Sequence, residues 1–205
     1  MYLYKTPRWV GGMFPNIMWN IKTETKEIYL TFDDGPVPEA TPWVLEQLEK
    51  YNAKATFFMV GDNVNKHKDL FSKVVAQQHT VANHTFNHLN GWRTKSNSYS
   101  ENIDKAEKLI GTSSSQLFRP PYGRLKWSQY KKINKSYKIV MWDVLSGDFN
   151  TSQSAEKCLR KSINATLPGS IIVFHDSVKT IETLRYVLPR YLEHFTALNF
   201  KFKAL

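Results

Sequence analysis

One cysteine, Cys158, in 205 residues leaves no partner for an intrachain disulfide. Its surroundings, EKCLRKS, do not display the partners a catalytic thiol needs, so it reads as a small structural hydrophobe. Long apolar runs are also missing. The opening MYLYKTPRWVGGMFPNIMWNIK is aromatic and slightly basic, yet Lys5, Pro7, Arg8 and Pro15 interrupt it before a signal-peptide core or a membrane span develops. The expectation is a chain with no membrane span and no evident export signal, cytoplasmic by default, with action at the cell envelope or outside it left open. Carboxylates are scarce: 18 acidic against 28 basic side chains give a net charge of +10. That surplus admits anionic partners, but no motif that reads nucleic acid accompanies it, and a solvated cationic surface accounts for it. Its densest part is KWSQYKKINKSYK, where Lys131, Lys135 and Lys138 are expected to share a helix face. With 41% hydrophobic and 22% charged residues, the chain is not disordered and reads as one globular domain without repeats or linkers.

What is present is alternation. KEIYLTFDD, ATFFMVG, HTVANH, SQLFRP, YKIVMWDVL, GSIIVFHD and FKFKA read as strands, and amphipathic stretches lie between most of them. ATPWVLEQLEKYN is expected to be a helix capped by Thr41 with Pro42 in its first position, and SYSENIDKAEKLIG one opened by a capping box from Ser98 to Glu101. This pattern predicts an α/β fold with a mainly parallel sheet, open or closed into a barrel. Polar residues gather at the predicted strand ends: Asp33 and Asp34, His84 and His88, Arg119, Asp148, and His175. In a parallel barrel these ends meet on one face, so five loops build one site.

Two stretches carry the chemistry. TFDDGP puts Asp33 beside Asp34, and adjacent carboxylates that are buried together require a cation or a shared proton. NHTFNH spaces His84 and His88 four apart, as two ligands of one metal can be. The helical zinc-protease motif has this spacing but needs Glu where Thr85 stands, so the protease reading is poor. Two imidazoles and one carboxylate leave coordination positions open, as in a catalytic metal site. One Asp then holds the cation and the other is a general base, and the residues alone do not say which. His175 is a candidate proton donor, and Arg119 a candidate bidentate clamp on the base carboxylate. A satisfied histidine pair and an ordinary arginine are the alternative readings of the same residues.

TFDDGP, NHTFNH, RPPYG, WDVLSGDF and IIVFHD occur in the order, and at roughly the spacings, of the five motifs of the polysaccharide deacetylases, carbohydrate esterase family 4, which the chain resembles from about Lys26 onward. The resemblance implies a distorted (β/α) barrel, with residues 1–25 an extension packed on a catalytic domain at 26–205. It implies metal-dependent removal of acetyl from an acetylated carbohydrate. Carried over, Asp33 is the base, Asp34, His84 and His88 are the metal ligands, Arg119 orients Asp33, and the Tyr122 amide helps bind the oxyanion. His175 is the general acid, tuned by Asp148, and Ile172 stands at the position that lines the acetyl pocket. The metal implied is divalent, usually zinc.

The chain departs from the family in the fourth motif, commonly Asp-Ser-x-Asp-Trp, which here reads Leu145-Ser146-Gly147-Asp148-Phe149. The second Asp is retained, and Phe149 still offers an aromatic wall for a sugar ring. Peptidoglycan and chitin-like oligomers are the expected substrates. An O-acetyl xylan esterase and an inactive carbohydrate-binding protein on the same scaffold are the alternatives, and the sequence says nothing of oligomeric state.

Overall fold

The structure, a computed structural model, describes residues 3–205. Its strands are β1 (Glu27–Asp33), β2 (Thr56–Met59), β3 (Thr80–Asn83), β4 (Ser114–Phe118), β5 (Lys138–Ile139), β6 (Val144–Leu145), β7 (Ile171–His175) and β8 (Lys201–Lys203). The helices are α1 (Arg8–Met13), α2 (Thr41–Lys50), α3 (Gly61–Lys66), α4 (Lys68–Ala76), α5 (Ser96–Ile110), α6 (Trp127–Ile133), α7 (Ala155–Ala165) and α8 (Ile181–Ala197). All the strand pairings are parallel, in the order β5-β4-β3-β2-β1-β7-β6, with β8 beside the first half of β1. β5 and β6 therefore occupy opposite edges of the sheet although only residues 140–143 separate them. So short a connection reaches at most roughly 18 Å. The sheet must curl until its edges nearly meet, and the result is a barrel with one seam.

YKIVMWDVL is thus not one strand. Its first half pairs with β4 and its second with β7, and the break between them is the seam. Lys5 and Met18 of the preceding segment are laced into that gap. Met18 bridges Val140, its N–H donating to the Ile139 carbonyl at 2.9 Å and its carbonyl accepting from Met141 at 2.7 Å. Lys5 bridges Val144 and places Nζ 2.7 Å from Asp143, whose carboxylate also accepts from Ser170 and the Ile171 amide.

Some helix boundaries differ from expectation. Ala40, not Thr41, precedes α2, and Pro42 falls in its second position. The Thr41 hydroxyl instead accepts from the Val37 amide and donates to Asp176. α5 begins at Ser96, so Ser98 and Glu101 lie inside it and form no cap. α6 ends at Ile133, which leaves Lys135 in the following turn and Lys138 in β5; the three lysines share no helix face.

Side-chain alternation along the strands separates two cores. Leu30, Phe32, Phe57, Ile172 and Phe174 point outward and pack on Val44, Leu48, Leu184, Val187, Leu188 and Tyr191 of α2 and α8. The opposite parity points into the barrel, where Phe58, Ala82, Val140 and Ile171, with Tyr29, Leu117 and Met18 against them, fill its lower end. Continuing the inward parity upward gives Thr31 and Asp33 on β1, His84 after β3, Arg119 after β4, and Val173 and His175 on β7. A plugged barrel with a polar top is the consequence. Ile172 faces the helices rather than the barrel, so it lines no pocket, and Val173 is the apolar neighbour on the His175 side.

His79, just before β3, supplies a pH-dependent contribution to this framework. Its Nδ1 accepts a hydrogen bond from the Ala55 N–H at 3.2 Å, so the native state holds the ring neutral. Burial, aided by the Lys54 charge, lowers its pKa to about 4. The unfolded chain titrates near 6.5, so it binds the proton that the native state refuses between those values. Stability is full above pH 6.5 and falls as pH drops toward 4, by about 2–3 kcal/mol from this group. His79→Asn retains an acceptor but does not titrate, and its stability loss from pH 7 to 4.5 in urea unfolding should be smaller than wild type by about 2 kcal/mol. Equal losses would mean that His79 titrates normally.

Candidate active site

Asp33 ends β1, and Asp34 follows in left-handed backbone with φ 83°. The turn is held from beneath by Asp176, which accepts from the Gly35 amide at 3.1 Å and from Thr41 at 2.6 Å. A β-carbon on Gly35 would sit 2.1 Å from the Asp176 carboxylate, so only glycine allows this approach. Burial, with the Asp34 charge adding to it, pushes the Asp176 carboxyl up to about 8 against the bonds from Thr41 and Gly35. Thr85 at φ 65°, His88 at φ 54° and Tyr122 at φ 61° are left-handed as well. Such conformations cost of order 1 kcal/mol or more each and concentrate where function over-determines the backbone.

The turn after β3 brings the expected ligands together. His84 is buried and its Nδ1 lies 2.7 Å from the Arg119 carbonyl, which can only accept, so Nδ1 carries the proton and Nε2 presents a lone pair. That Nε2 lies 3.8 Å from Asp34 Oδ1, and His88 Nε2 is 3.1 Å from the same oxygen. Asp34, His84 and His88 offer ligand atoms within 4.8 Å of one another. Asp34 Oδ1 is without accessible surface and accepts no hydrogen bond. A buried carboxylate oxygen facing the lone pair of an imidazole is repulsive unless a cation lies between them, so the donor set fits a divalent metal. Burial lowers the His84 pKa to about 4 despite the pull of Asp33, which keeps the ring in its ligating neutral form. For Asp34, burial raises the pKa, and the nearby imidazoles, His88 first and then His175, reverse this and hold the carboxyl well below the usual range.

Geometry separates the two aspartates. Asp33 Oδ1 is taken by Arg119 Nη1 at 2.6 Å, while Oδ2 points toward the ligands, 4.0 Å from His84 Nε2. Arg119 is fully buried, and its clamp is not the bidentate one expected. Nη1 also donates to Thr31 at 2.8 Å, Nη2 to the Met141 carbonyl at 3.1 Å, and Nε to Val140 at 3.4 Å, because the seam carbonyls need donors. The guanidinium lies 4.0 Å over the Phe58 ring, which closes its lower side.

His175 stands in register with Asp33 on the neighbouring strand. Asp148 accepts from its backbone N–H at 2.7 Å and pairs with Nδ1 at 2.8 Å, which directs Nε2 into the site. Burial works against the charged ring, but the charge and hydrogen bond of Asp148, with Asp34 and Asp33 adding to them, raise its pKa to about 10. Phe149 stands edge-on to the imidazole with ring centres 5.4 Å apart. Tyr122 is 59% exposed, and its hydroxyl lies 3.2 Å from His88 Nδ1. Asp33, Asp34, His84, His88, Arg119, Tyr122, Asp148 and His175 therefore meet at one barrel end, and of the expected residues Ile172 does not join them. Thr31 and Asp176 were not anticipated, although the alternation TFD and the dipeptide HD placed both beside named residues.

The sequence profile of a family described as polysaccharide deacetylase matches residues 20–142, which include the Asp pair, the His pair and RPPYG. The chain belongs to the polysaccharide deacetylase family. Among its curated relatives is a peptidoglycan-N-acetylglucosamine deacetylase of Bacillus cereus, 33% identical over 155 residues, covering 74% of this chain and 56% of that protein. The chain thus spans little more than half the length of that relative. A chitooligosaccharide deacetylase of Azorhizobium caulinodans is 30% identical over 189 residues, covering 82% of this chain and 90% of the relative. In structure, a peptidoglycan N-acetylglucosamine deacetylase solved with 4-naphthalen-1-yl-N-oxidanyl-benzamide superposes with a TM-score of 0.88 at 27% identity, over 98% of this chain and 95% of that one. The polysaccharide deacetylase fold, with its curled parallel sheet, is therefore shared along nearly the whole length.

Proposed function

We propose that the protein hydrolyses the acetamide of N-acetylated sugars in peptidoglycan or a chitin-like oligomer, with a divalent metal, zinc for this donor set, held by Asp34, His84 and His88. The observation that carries the reading is the orphaned Asp34 oxygen between two imidazole nitrogens, with a second, separately clamped carboxylate beside it. When bound, such an ion supplies Lewis-acid polarisation of a carbonyl and a lowered pKa for water. The remaining work belongs to the protein. Asp33 Oδ2 accepts the proton of the water whose oxygen adds to the acetyl carbon, and Arg119 keeps that oxygen aimed by occupying Oδ1. Among the described residues, the Tyr122 N–H donates to no protein acceptor while its neighbours Gly123 and Arg124 bond within the turn, which leaves it available to a developing oxyanion. His175 Nε2 delivers a proton to the sugar nitrogen as the carbon–nitrogen bond breaks and acetate leaves. Asp148 holds the ring in the orientation and protonation state this requires.

Sugar recognition follows from the walls. Phe149 on one side and Tyr122 on the other offer aromatic faces to a pyranose, and Val173 lies below for a methyl group. Acetate release measured in parallel from N-acetylglucosamine oligomers, peptidoglycan and acetylated xylan, by zinc-loaded protein with and without chelator, tests the reading. Chelator-sensitive release from one of the first two substrates is expected. Release from xylan alone would transfer the activity to an ester, and undiminished release under chelation would overturn the metal assignment.

A further inference from the structure

On the rim of the site, exposed aromatic residues are assembled into more than a surface decoration. From the metal ligand His88 outward, ring centres run 4.7 Å to Tyr122, the Arg124 guanidinium lies 6.0 Å from the Tyr122 ring, and it lies 5.1 Å from the ring of Trp92. Trp92 and Tyr122 are each 59% exposed, whereas Arg124 is half-buried between them. Among the described residues, the Arg124 guanidinium has no ion pair and no side-chain hydrogen bond, so its donors are free for a ligand.

The platform is also held rigid. Trp92 sits in a single turn capped by Asn90, whose Oδ1 accepts from the Trp92 amide at 3.0 Å. Gln129 donates to the Gly91 carbonyl at 3.0 Å, and Lys126 donates to the Thr94 carbonyl at 2.9 Å. At Gly91 the loops close so tightly that an added β-carbon would lie 2.3 Å from the Arg124 carbonyl. Two exposed rings, an unsatisfied guanidinium and a clasped backbone, continuous with the metal ligands, are suited to bind a rigid chain that leaves the site along this side.

We propose that Trp92 and Arg124 form a subsite for the sugar adjoining the one that is deacetylated. The apolar face of that pyranose lies on the indole, and its oxygen substituents accept from the guanidinium. This rests on the deacetylase reading and deepens it: within the substrate chain, the neighbouring sugar on the Tyr122 side is read by Trp92 and Arg124.

Steady-state acetate release from N-acetylglucosamine and its oligomers, monosaccharide to pentasaccharide, tests this with zinc-loaded wild type, Trp92→Ala, Trp92→Tyr and Arg124→Ala. For the wild type, kcat/KM should rise with length. Trp92→Ala should lose about ten-fold on the pentasaccharide through KM while leaving kcat and the monosaccharide nearly unchanged, and Trp92→Tyr should recover most of the loss. Arg124→Ala should show the same length dependence. An equal loss at every length, or none at any, overturns the subsite. Should wild type release no acetate at all, the deacetylase reading fails. The subsite is then decided by calorimetric titration with the pentasaccharide: binding that Trp92→Ala weakens supports it, and binding indifferent to that change, or no binding, overturns it.

Discussion

Asp33→Asn should reduce kcat by about 10²–10⁴-fold while the protein still binds one metal ion per chain. The substitution changes charge with almost no change of shape. Asn can still accept from Arg119 Nη1, so the 2.6 Å contact that orients the group survives in weaker form. What it removes is the basicity of the oxygen facing the ligands, and an amide oxygen cannot take up the proton of the attacking water. It also strips the fully buried Arg119 of its counter-charge, which is unfavourable for folding. Because Thr31 and two seam carbonyls satisfy the rest of the guanidinium, this loss should amount to about 1–3 kcal/mol and lower the melting temperature without unfolding the chain. Metal content after dialysis and acetate release from the same preparation decide the matter. Near wild-type turnover would remove Asp33 from the proton transfer, and loss of metal would make it a ligand.

The placement of the residues explains how much of this was legible in the sequence. Polar residues after apolar strands were visible as a group because strand ends are marked by composition, and a parallel sheet carries such ends to one side. The family resemblance implied the barrel, but the place where it closes was not visible. YKIVMWDVL reads as one strand because each half is apolar, and only the pairing partners, β4 for one half and β7 for the other, reveal the seam. Ile172, carried over from the resemblance, was misplaced, and the local pattern offered no check on it. In strands whose outer face is covered by helices both parities are apolar, so IIVF carries no alternation from which to tell barrel from helix layer, and only its distance from His175 does so. Contacts between loops are further from reach. Asp176 under Gly35, Lys5 on Asp143, and Arg124 beside Trp92 each join residues that no local pattern relates.

His84→Ala should abolish metal binding and, with it, all measurable acetate release, a larger effect than the Asp33 change. Losing a group that merely orients a ligand costs about 10–100-fold in affinity, and removing a ligand itself costs more. His84 is both. Its Nε2 is one of the three donors that would hold the ion, and its Nδ1–H donates to the Arg119 carbonyl, so the same imidazole ties the proposed ligands to the clamp on Asp33. Since the ring is buried, truncation leaves a cavity and an unpaired carbonyl, and the variant is expected to be less stable in the absence of metal as well. His88→Ala separates the two effects: its side chain is 28% exposed at the rim, so the ligand is lost with little damage to packing. Wild type should gain thermal stability on addition of zinc, in proportion to the logarithm of its concentration above the dissociation constant. Neither variant should show that gain at concentrations that saturate the wild type, and His88→Ala should match the wild type without metal. If His88→Ala were stabilised by zinc as strongly as wild type, the ion would be held elsewhere, and the buried Asp34 oxygen would again lack the cation that its surroundings require.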